Sequence, residues 1–205
     1  MGRPLPSNRS VAFHLEEQMK LFILGNGSFA QEVFEQIVVE NSIQDFGGFV
    51  ILRDNKAFAI TEEGSSDFTY PKNAQFVLGT SNQLWRSKFL EHFCQYYEMT
   101  PIHWPNMGAP ACYLSTSSSM GIGNLFLSFS LVNANAEIGD FNLFNIYSSV
   151  NNDCVVGDEN IFHQYASAIN GVSVGDNNLI SAGEVLFDSI ENDIVFQSGI
   201  GIPND

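Results

Sequence analysis

Side chains able to do chemistry are sparse in this sequence, and their positions narrow what they can do. The chain has four histidines. Beyond residue 110 there is only one, His163. An imidazole is the side chain best matched to taking up a proton near neutral pH. His163 is therefore a candidate base, with Asp153 or Asp158 as the acid that would orient it; the alternative is an exposed imidazole without chemistry. His14 lies in the leading segment and His92 on a helix-like stretch, and both read as bystanders; His103 lies in a linker and reads as structural. Gly25-x-Gly27-x-x-Ala30 follows a strand-like run and opens a helix-like one. Backbone N–H groups at such a turn can hold a phosphate; a tight turn without a ligand is the other reading. Dinucleotide folds place an acid about 20 residues further on to hold a ribose. Here Gln44 and Asp45 fall nearest, and no ribose-binding acid is obvious, which argues against NAD.

Composition excludes several partners. The net charge is −15, with 8 Lys and Arg against 23 Asp and Glu. No basic stripe exists to neutralise a phosphate backbone or an anionic membrane. No apolar run approaches the roughly 18 residues of a membrane helix. Cys94, Cys112 and Cys154 lack metal or redox spacing, and their odd number argues against a disulfide framework. Reduced thiols in a cytoplasmic protein, with no metal, are expected. Residues 1–18 lack the apolar core of a signal peptide and read as an extension ahead of Met19. Pro6 stands where a myristoylation signal wants Ser or Thr.

The elements that must position these groups change character near residue 110. In the first part Lys20–Leu24, Phe49–Leu52 and Gln75–Leu78 read as strands. Ser28–Val39 has helical spacing, with Phe29, Val33, Ile37 and Val38 on one side. Ser81–Tyr97 reads as a second helix, capped by Ser81, with Leu84, Phe89, Leu90 and Phe93 on its apolar face. The alternation implies a small Rossmann-like α/β domain with a parallel sheet. The second part has a six-residue beat instead. From Met120 every sixth residue through Leu186 is apolar. In a chain that is 44% hydrophobic, twelve such positions arise by chance about once in 20,000. Met120-Gly121, Ile138-Gly139, Val156-Gly157 and Val174-Gly175 repeat every 18 residues, and Asp140, Asp158 and Asp176 follow three of them. Eighteen residues make one turn of a three-sided coil, with Gly at a tight corner and Asp as a turn residue. Stacked coils bury one continuous apolar column.

Hexapeptide repeats behind a short α/β domain resemble the sialic acid O-acetyltransferases and UDP-4-amino-sugar N-acetyltransferases. The resemblance spans about residues 19–203 and rests on motifs in order. Leu24-Gly25-Asn26-Gly27-Ser28-Phe29-Ala30 resembles the opening turn of that family. Gly48-Phe49 with Asp54 resembles its second-strand segment. Val77-Leu78-Gly79-Thr80-Ser81-Asn82 with Arg86 resembles its strand-to-helix turn. Ile102-His103 ahead of Pro105 resembles its entry into the repeats, and residues 136–154 resemble its catalytic coil. The resemblance implies a left-handed parallel β-helix over residues 109–205, an α/β nucleotide-sugar-binding domain over residues 19–108, and a homotrimer with acetyl-CoA between neighbouring β-helices.

It also implies site residues. The nucleotide sugar would meet Gly25, Asn26, Gly27, Ser28, Phe29, Asp54 and Asn82, with Phe29 standing where the family usually has His. The coenzyme would meet Ile161, Ser181, Ala182, Gly183 and Gly199. The catalytic set would be Asn152, Asp153 and His163. Asn152 aligns with the His that serves the family as base, and an amide cannot accept a proton near neutral pH. Ile161 aligns with the second family His. A general base contributes roughly 100- to 10,000-fold, so an amine, already a good nucleophile, is favoured over a hydroxyl as acceptor. The implied function is acetyl-CoA-dependent N-acetylation of a nucleotide-linked amino sugar in surface-polysaccharide synthesis. The alternatives are an inactive homologue that binds a sugar nucleotide or scaffolds a partner, and transfer of a different acyl group. Glu184, Phe187 and Asp188 add bulk and negative charge where the family's late coils are small.

Overall fold

The computed structural model describes residues 19–61 and 64–197. The expected extension 1–18, with His14, and Gly199 lie outside them. β1 (Lys20–Leu24) is buried at its last four positions, and β5 (Ala74–Leu78) at all five. Such buried runs, apolar but for Gln75, belong to strands covered on both faces. β1 pairs in parallel with β5 and with β2 (Phe46–Arg53). α1 (Ser28–Val33), prolonged by a π-helical turn over Phe34–Val39, makes the crossover from β1 to β2.

The sheet is not wholly parallel, which corrects the sequence reading. β3 (Lys56–Thr61) and β4 (Gly64–Asp67) extend it as an antiparallel hairpin, giving the order β4-β3-β2-β1-β5. Asp54 and Asn55 both adopt left-handed backbone, with φ of 47° and 59°, as a two-residue hairpin turn requires. β4 is exposed throughout, so it carries no apolar pattern. α2 spans Gln83–Phe93, and its cap is Asn82, not Ser81: the Asn82 side chain accepts the Trp85 N–H at 3.1 Å. The buried face of α2 runs through Arg86, Phe89, Leu90 and Phe93, while Leu84 is exposed. Arg86, not Leu84, completes that stripe.

From Met107 onward the chain winds as a three-sided parallel β-helix of two-residue strands. The first face stacks Tyr113–Leu114, Leu131–Val132, Ser149–Val150, Ser167–Ala168 and Val185–Leu186. The second stacks Ser119–Met120, Glu137–Ile138, Val155–Val156 and Ser173–Val174. Leu125–Phe126, Leu143–Phe144, Ile161–Phe162 and Leu179–Ile180 belong to the third. Partners lie 18 residues apart until the last coil, which drops two residues and pairs Ile180 with Phe196. The six-residue beat points inward: every member from Phe126 to Leu186 is buried. Phe126, Phe144 and Phe162 stack at 5.0 and 5.2 Å down the axis. Each fully buried side chain of this size contributes roughly 1.5–3 kcal/mol.

Two polar ladders lock the coils together. Asn106, Asn124, Asn142, Asn160 and Asn178 recur every 18 residues. The side-chain oxygen of each of the first four accepts the backbone N–H of the next, at 2.8–2.9 Å. Asp140, Asp158 and Asp176 do the same for the N–H groups of Ile122, Asp140 and Asp158. A Cβ on Gly121, Gly139 or Gly157 would run into the carboxylate of the next coil. These glycines therefore make room for the acid ladder: the corner needs a residue without Cβ, as expected, although none of the three has a positive φ.

The two parts share a core. Leu21, Ile23, Ala30, Val33 and Ile37 pack with Leu125, Leu143 and Ile161 on the outer side of the third face. α2 lies along the edge between the second and third faces. There the fully buried Arg86 donates to the Phe141 carbonyl at 2.5 Å and to the Thr80 carbonyl at 3.3 Å. Gln83 donates to the Asn177 carbonyl at 2.7 Å.

Candidate active site: a strand-end cleft beside a β-helix

A cleft of about 510 Å³ opens where β1, β2 and β5 end. Ligands of open α/β sheets bind at such carboxyl ends. The β1–α1 turn contributes Gly25, Asn26, Gly27, Ser28 and Phe29, the end of β2 contributes Ile51, Leu52 and Arg53, and the β5–α2 turn contributes Gly79, Thr80, Ser81 and Asn82. Trp85 and Phe89 of α2 close one side.

The two glycine turns are built against each other. Gly25 has a φ of +136°, and a Cβ there would stand 2.6 Å from the Gly79 carbonyl oxygen. Gly79 donates its N–H to Leu24 O, and Gly25 to Val50 O, which ties the three strand ends together. The Asn82 side chain is engaged in capping α2, and the Asn82 backbone N–H donates to Thr80 Oγ1 at 3.2 Å. Asp54 sits in the exposed hairpin turn next to Arg53 and does not line the cleft.

The sequence reading missed Arg53 and Trp85. Arg53 is the one cationic residue lining this cleft, and Trp85 is an exposed aromatic on the first turn of α2. A cation and an aromatic face among small polar groups suit a phosphorylated ligand with a planar ring. The signal available beforehand was a lone Arg at a strand's carboxyl end, directly before a hairpin turn.

On the β-helix the predicted residues fall on separate edges. Asn152 and Asp153 lie on the edge between the first and second faces, both exposed. Asp153 has a φ of 59°, and its carboxylate accepts from Asn135 Nδ2, one coil away, at 3.0 Å. His163 lies on the edge between the third and first faces and is half-buried, and burial lowers its pKa. Asp158 belongs to the third edge, where its carboxylate takes the Asp140 N–H. Within one chain, therefore, neither Asp153 nor Asp158 is placed to orient His163. Cys154 is buried behind Asp153, its thiol donates to Ile169 O at 2.9 Å, and burial raises its pKa.

Of the expected coenzyme residues, Ser181, Ala182 and Gly183 share the His163 edge, one coil further on, where Gly183 donates its N–H to Gln164 O at 2.8 Å. Ile161 has no exposed surface and packs in the core that joins the domains, away from any groove. Phe187 projects into solvent, 70% exposed. Among the described residues no group of three or more His, Cys, Asp or Glu could hold a metal ion. No helix among them is long and apolar enough to cross a membrane.

No family model matches the sequence, and no curated protein does either. Solved structures match over both parts of the chain. The acetyltransferase domain of PglB from Neisseria gonorrhoeae, solved with acetyl coenzyme A, is 18% identical with a TM-score of 0.61, covering 84% of this chain and 92% of that one. A histidine-to-asparagine variant of perosamine N-acetyltransferase from Caulobacter crescentus, solved with CoA and GDP-perosamine, is 17% identical with a TM-score of 0.67, covering 86% and 92%. WeeI from Acinetobacter baumannii is 18% identical with a TM-score of 0.63, covering 86% and 95%. The chain thus has the two-part fold of the hexapeptide-repeat sugar N-acetyltransferases.

Proposed function

We propose that the chain transfers an acetyl group from acetyl-CoA to the amine of a nucleotide-linked sugar, as a cytoplasmic homotrimer in surface-polysaccharide synthesis. The observation that carries this reading is the cleft: glycine turns, Arg53 and Trp85 converge at the strand ends of a domain fused to a β-helix. Proteins of the same fold have been solved with CoA and GDP-perosamine. Gly25–Phe29 and Asn82 would hold the nucleotide sugar, with Arg53 facing its diphosphate and Trp85 its base. Ser181–Gly183 would line the thioester arm.

In the reaction the amine nitrogen bonds to the thioester carbonyl carbon and the carbon–sulfur bond breaks. The thiolate takes up a proton, and the nitrogen gives one up. Asn152 is an amide and cannot take that proton, while His163, whose pKa burial lowers, stands on another edge. A neighbouring copy of the chain would be needed to bring its His163 edge to the Asn152–Asp153 edge. An amine acceptor, which needs no base in order to attack, fits this arrangement better than a hydroxyl.

The test is thiol release from acetyl-CoA with a panel of UDP- and GDP-linked 4-amino sugars. Turnover with any of them supports the proposal. A protein that binds the nucleotide sugar but releases no thiol supports a second reading, a non-catalytic binder or scaffold, which the exposed amide of Asn152 in the base position favours.

A further inference from the structure

The β-helix has no positive charge. The Lys and Arg among the described residues, Lys20, Arg53, Lys56, Lys72, Arg86 and Lys88, all belong to the α/β domain, and from residue 89 to the end there is neither Lys nor Arg. The coils carry only acids. Coenzyme A brings a diphosphate and a 3′-phosphate, about four negative charges at neutral pH. Sites that recognise such groups use Arg or Lys. This β-helix offers them only like charge.

One edge differs. In four successive coils the turns at residues 109–112, 127–130, 145–148 and 163–166 contain no Asp, Glu, Lys or Arg. Phe129, Tyr147 and Tyr165 occupy the same position in three of these turns, all with left-handed backbone, φ 60–62°. The corresponding turn position takes the same backbone on the other edges, as at Asn135, Phe141, Asp153, Glu159 and Asn177, so it is the aromatic side chains that set this edge apart. Their rings stack at 4.9 and 5.0 Å with interplanar angles of 8° and 7°, and remain 50, 47 and 62% exposed. The next rung is Gly183, where a Cβ would meet nothing within 4 Å, so one face of Tyr165 is uncovered. His163 shares the turn of Tyr165, and Ser181 and Glu184 share the turn of Gly183.

We infer that this aromatic edge takes the uncharged acyl-pantetheine part of the donor and that the nucleotide end of coenzyme A adds no affinity, so that small neutral thioesters such as S-acetyl-pantetheine serve as donors. The inference rests on the acetyltransferase reading above. The chemistry is unchanged: the amine nitrogen bonds to the acetyl carbon, the carbon–sulfur bond breaks, and pantetheine leaves as its thiol after taking up the proton that the nitrogen loses.

The experiment compares kcat/KM for acetyl-CoA and S-acetyl-pantetheine with the same nucleotide amino sugar, alongside calorimetric binding of CoA, pantetheine and 3′,5′-ADP. The expected ratio of the two donors is within about tenfold, since a single charge-assisted phosphate contact would by itself exceed that. Tyr165→Ala should raise KM for both thioesters in parallel and leave that of the nucleotide sugar unchanged. A preference for acetyl-CoA beyond about tenfold, or binding of 3′,5′-ADP alone as tight as CoA, overturns the inference while leaving the acetyltransferase reading intact. A Tyr165→Ala protein with both thioester KM values unchanged overturns the placement on this edge. If neither thioester binds and neither is consumed, the acetyltransferase reading falls and the inference with it.

Discussion

Gly25 and Gly27 stand two residues apart in the same turn, yet one methyl group should act very differently at the two positions. At Gly25, φ is +136°, a backbone conformation that L side chains rarely adopt, and a new Cβ would approach the Gly79 carbonyl oxygen to 2.6 Å. Relief by moving Gly79 is blocked, because Gly79 is itself packed against Ile23 and Ala30 and bonded to Leu24 O. Strained backbone of this kind costs about 1–3 kcal/mol, and the contact adds overpacking of about 1–3 kcal/mol. The loss of unfolded-state entropy returns less than about 1 kcal/mol. Gly25→Ala should therefore destabilise by roughly 2–5 kcal/mol and weaken nucleotide-sugar binding, because the strand ends it ties form the cleft. At Gly27, φ is −81° and a Cβ meets nothing within 4 Å. Gly27→Ala should stay within about 1 kcal/mol of the parent, the usual range for the cap position of a helix. Urea denaturation followed by circular dichroism and by the fluorescence of Trp85 and Trp104 measures both, and calorimetry measures the cleft. Equal costs for the two variants, or a Gly25→Ala protein within about 1 kcal/mol of the parent, would refute the reasoning.

Three further outcomes are expected. Asn142→Ala leaves the Asn160 N–H and the Gly157 carbonyl without their partners at 2.8 and 2.9 Å; with buried unsatisfied groups costing about 1–3 kcal/mol each, its thermal midpoint should fall by several degrees or more. Asn152→His restores an imidazole at the expected base position and should raise kcat for an amino-sugar acceptor by about tenfold or more, read as thiol release. His163 and His92 both have pKa values lowered by burial. Their contribution is therefore complete above the unfolded value near 6.5 and lost as pH falls through the lower folded values. The urea midpoint should drop on moving from pH 7.5 to pH 5, and the drop should be smaller in His163→Gln, which no longer titrates there.

Much of the fold was legible because its physics is periodic. The β-helix points an apolar side chain down its axis at every sixth residue, so the column from Met120 to Leu186 could be read directly, whereas the small and polar residues buried beside it, such as Ala136, Ser148 and Cys154, could not. The asparagine ladder has the same 18-residue period but was passed over, since a search for apolar repeats ignores polar side chains that are buried only because they bond to the next coil. β4 could not be read: Gly64-Ser65-Ser66-Asp67 is an exposed edge held by its backbone alone. Asp54-Asn55, two residues that tolerate left-handed backbone, was a turn signal passed over because Asp54 was read as a binding residue. In the cleft the glycine turns showed in the sequence, whereas Arg53 and Trp85 did not, because their convergence depends on how β2 and α2 pack. Asn152 and His163 are eleven residues apart, which is not a whole turn of an 18-residue coil, so their separation onto two edges was implicit in the spacing.

The lack of lysine beyond residue 88 also bears on the protein's own chemistry. Thioesters acylate lysine amines, and a protein that concentrates one beside its surface exposes itself to that side reaction. Here the coils against which the thioester would rest offer no lysine to modify. Incubation with acetyl-CoA should mark only amines outside the β-helix, Lys20, Lys56, Lys72 and Lys88 among them, and mass spectrometry of the acylated protein should return every β-helix peptide unchanged. The acidic surface that gives the phosphates of coenzyme A no foothold is at the same time a surface with no lysine amine for its acetyl group to modify.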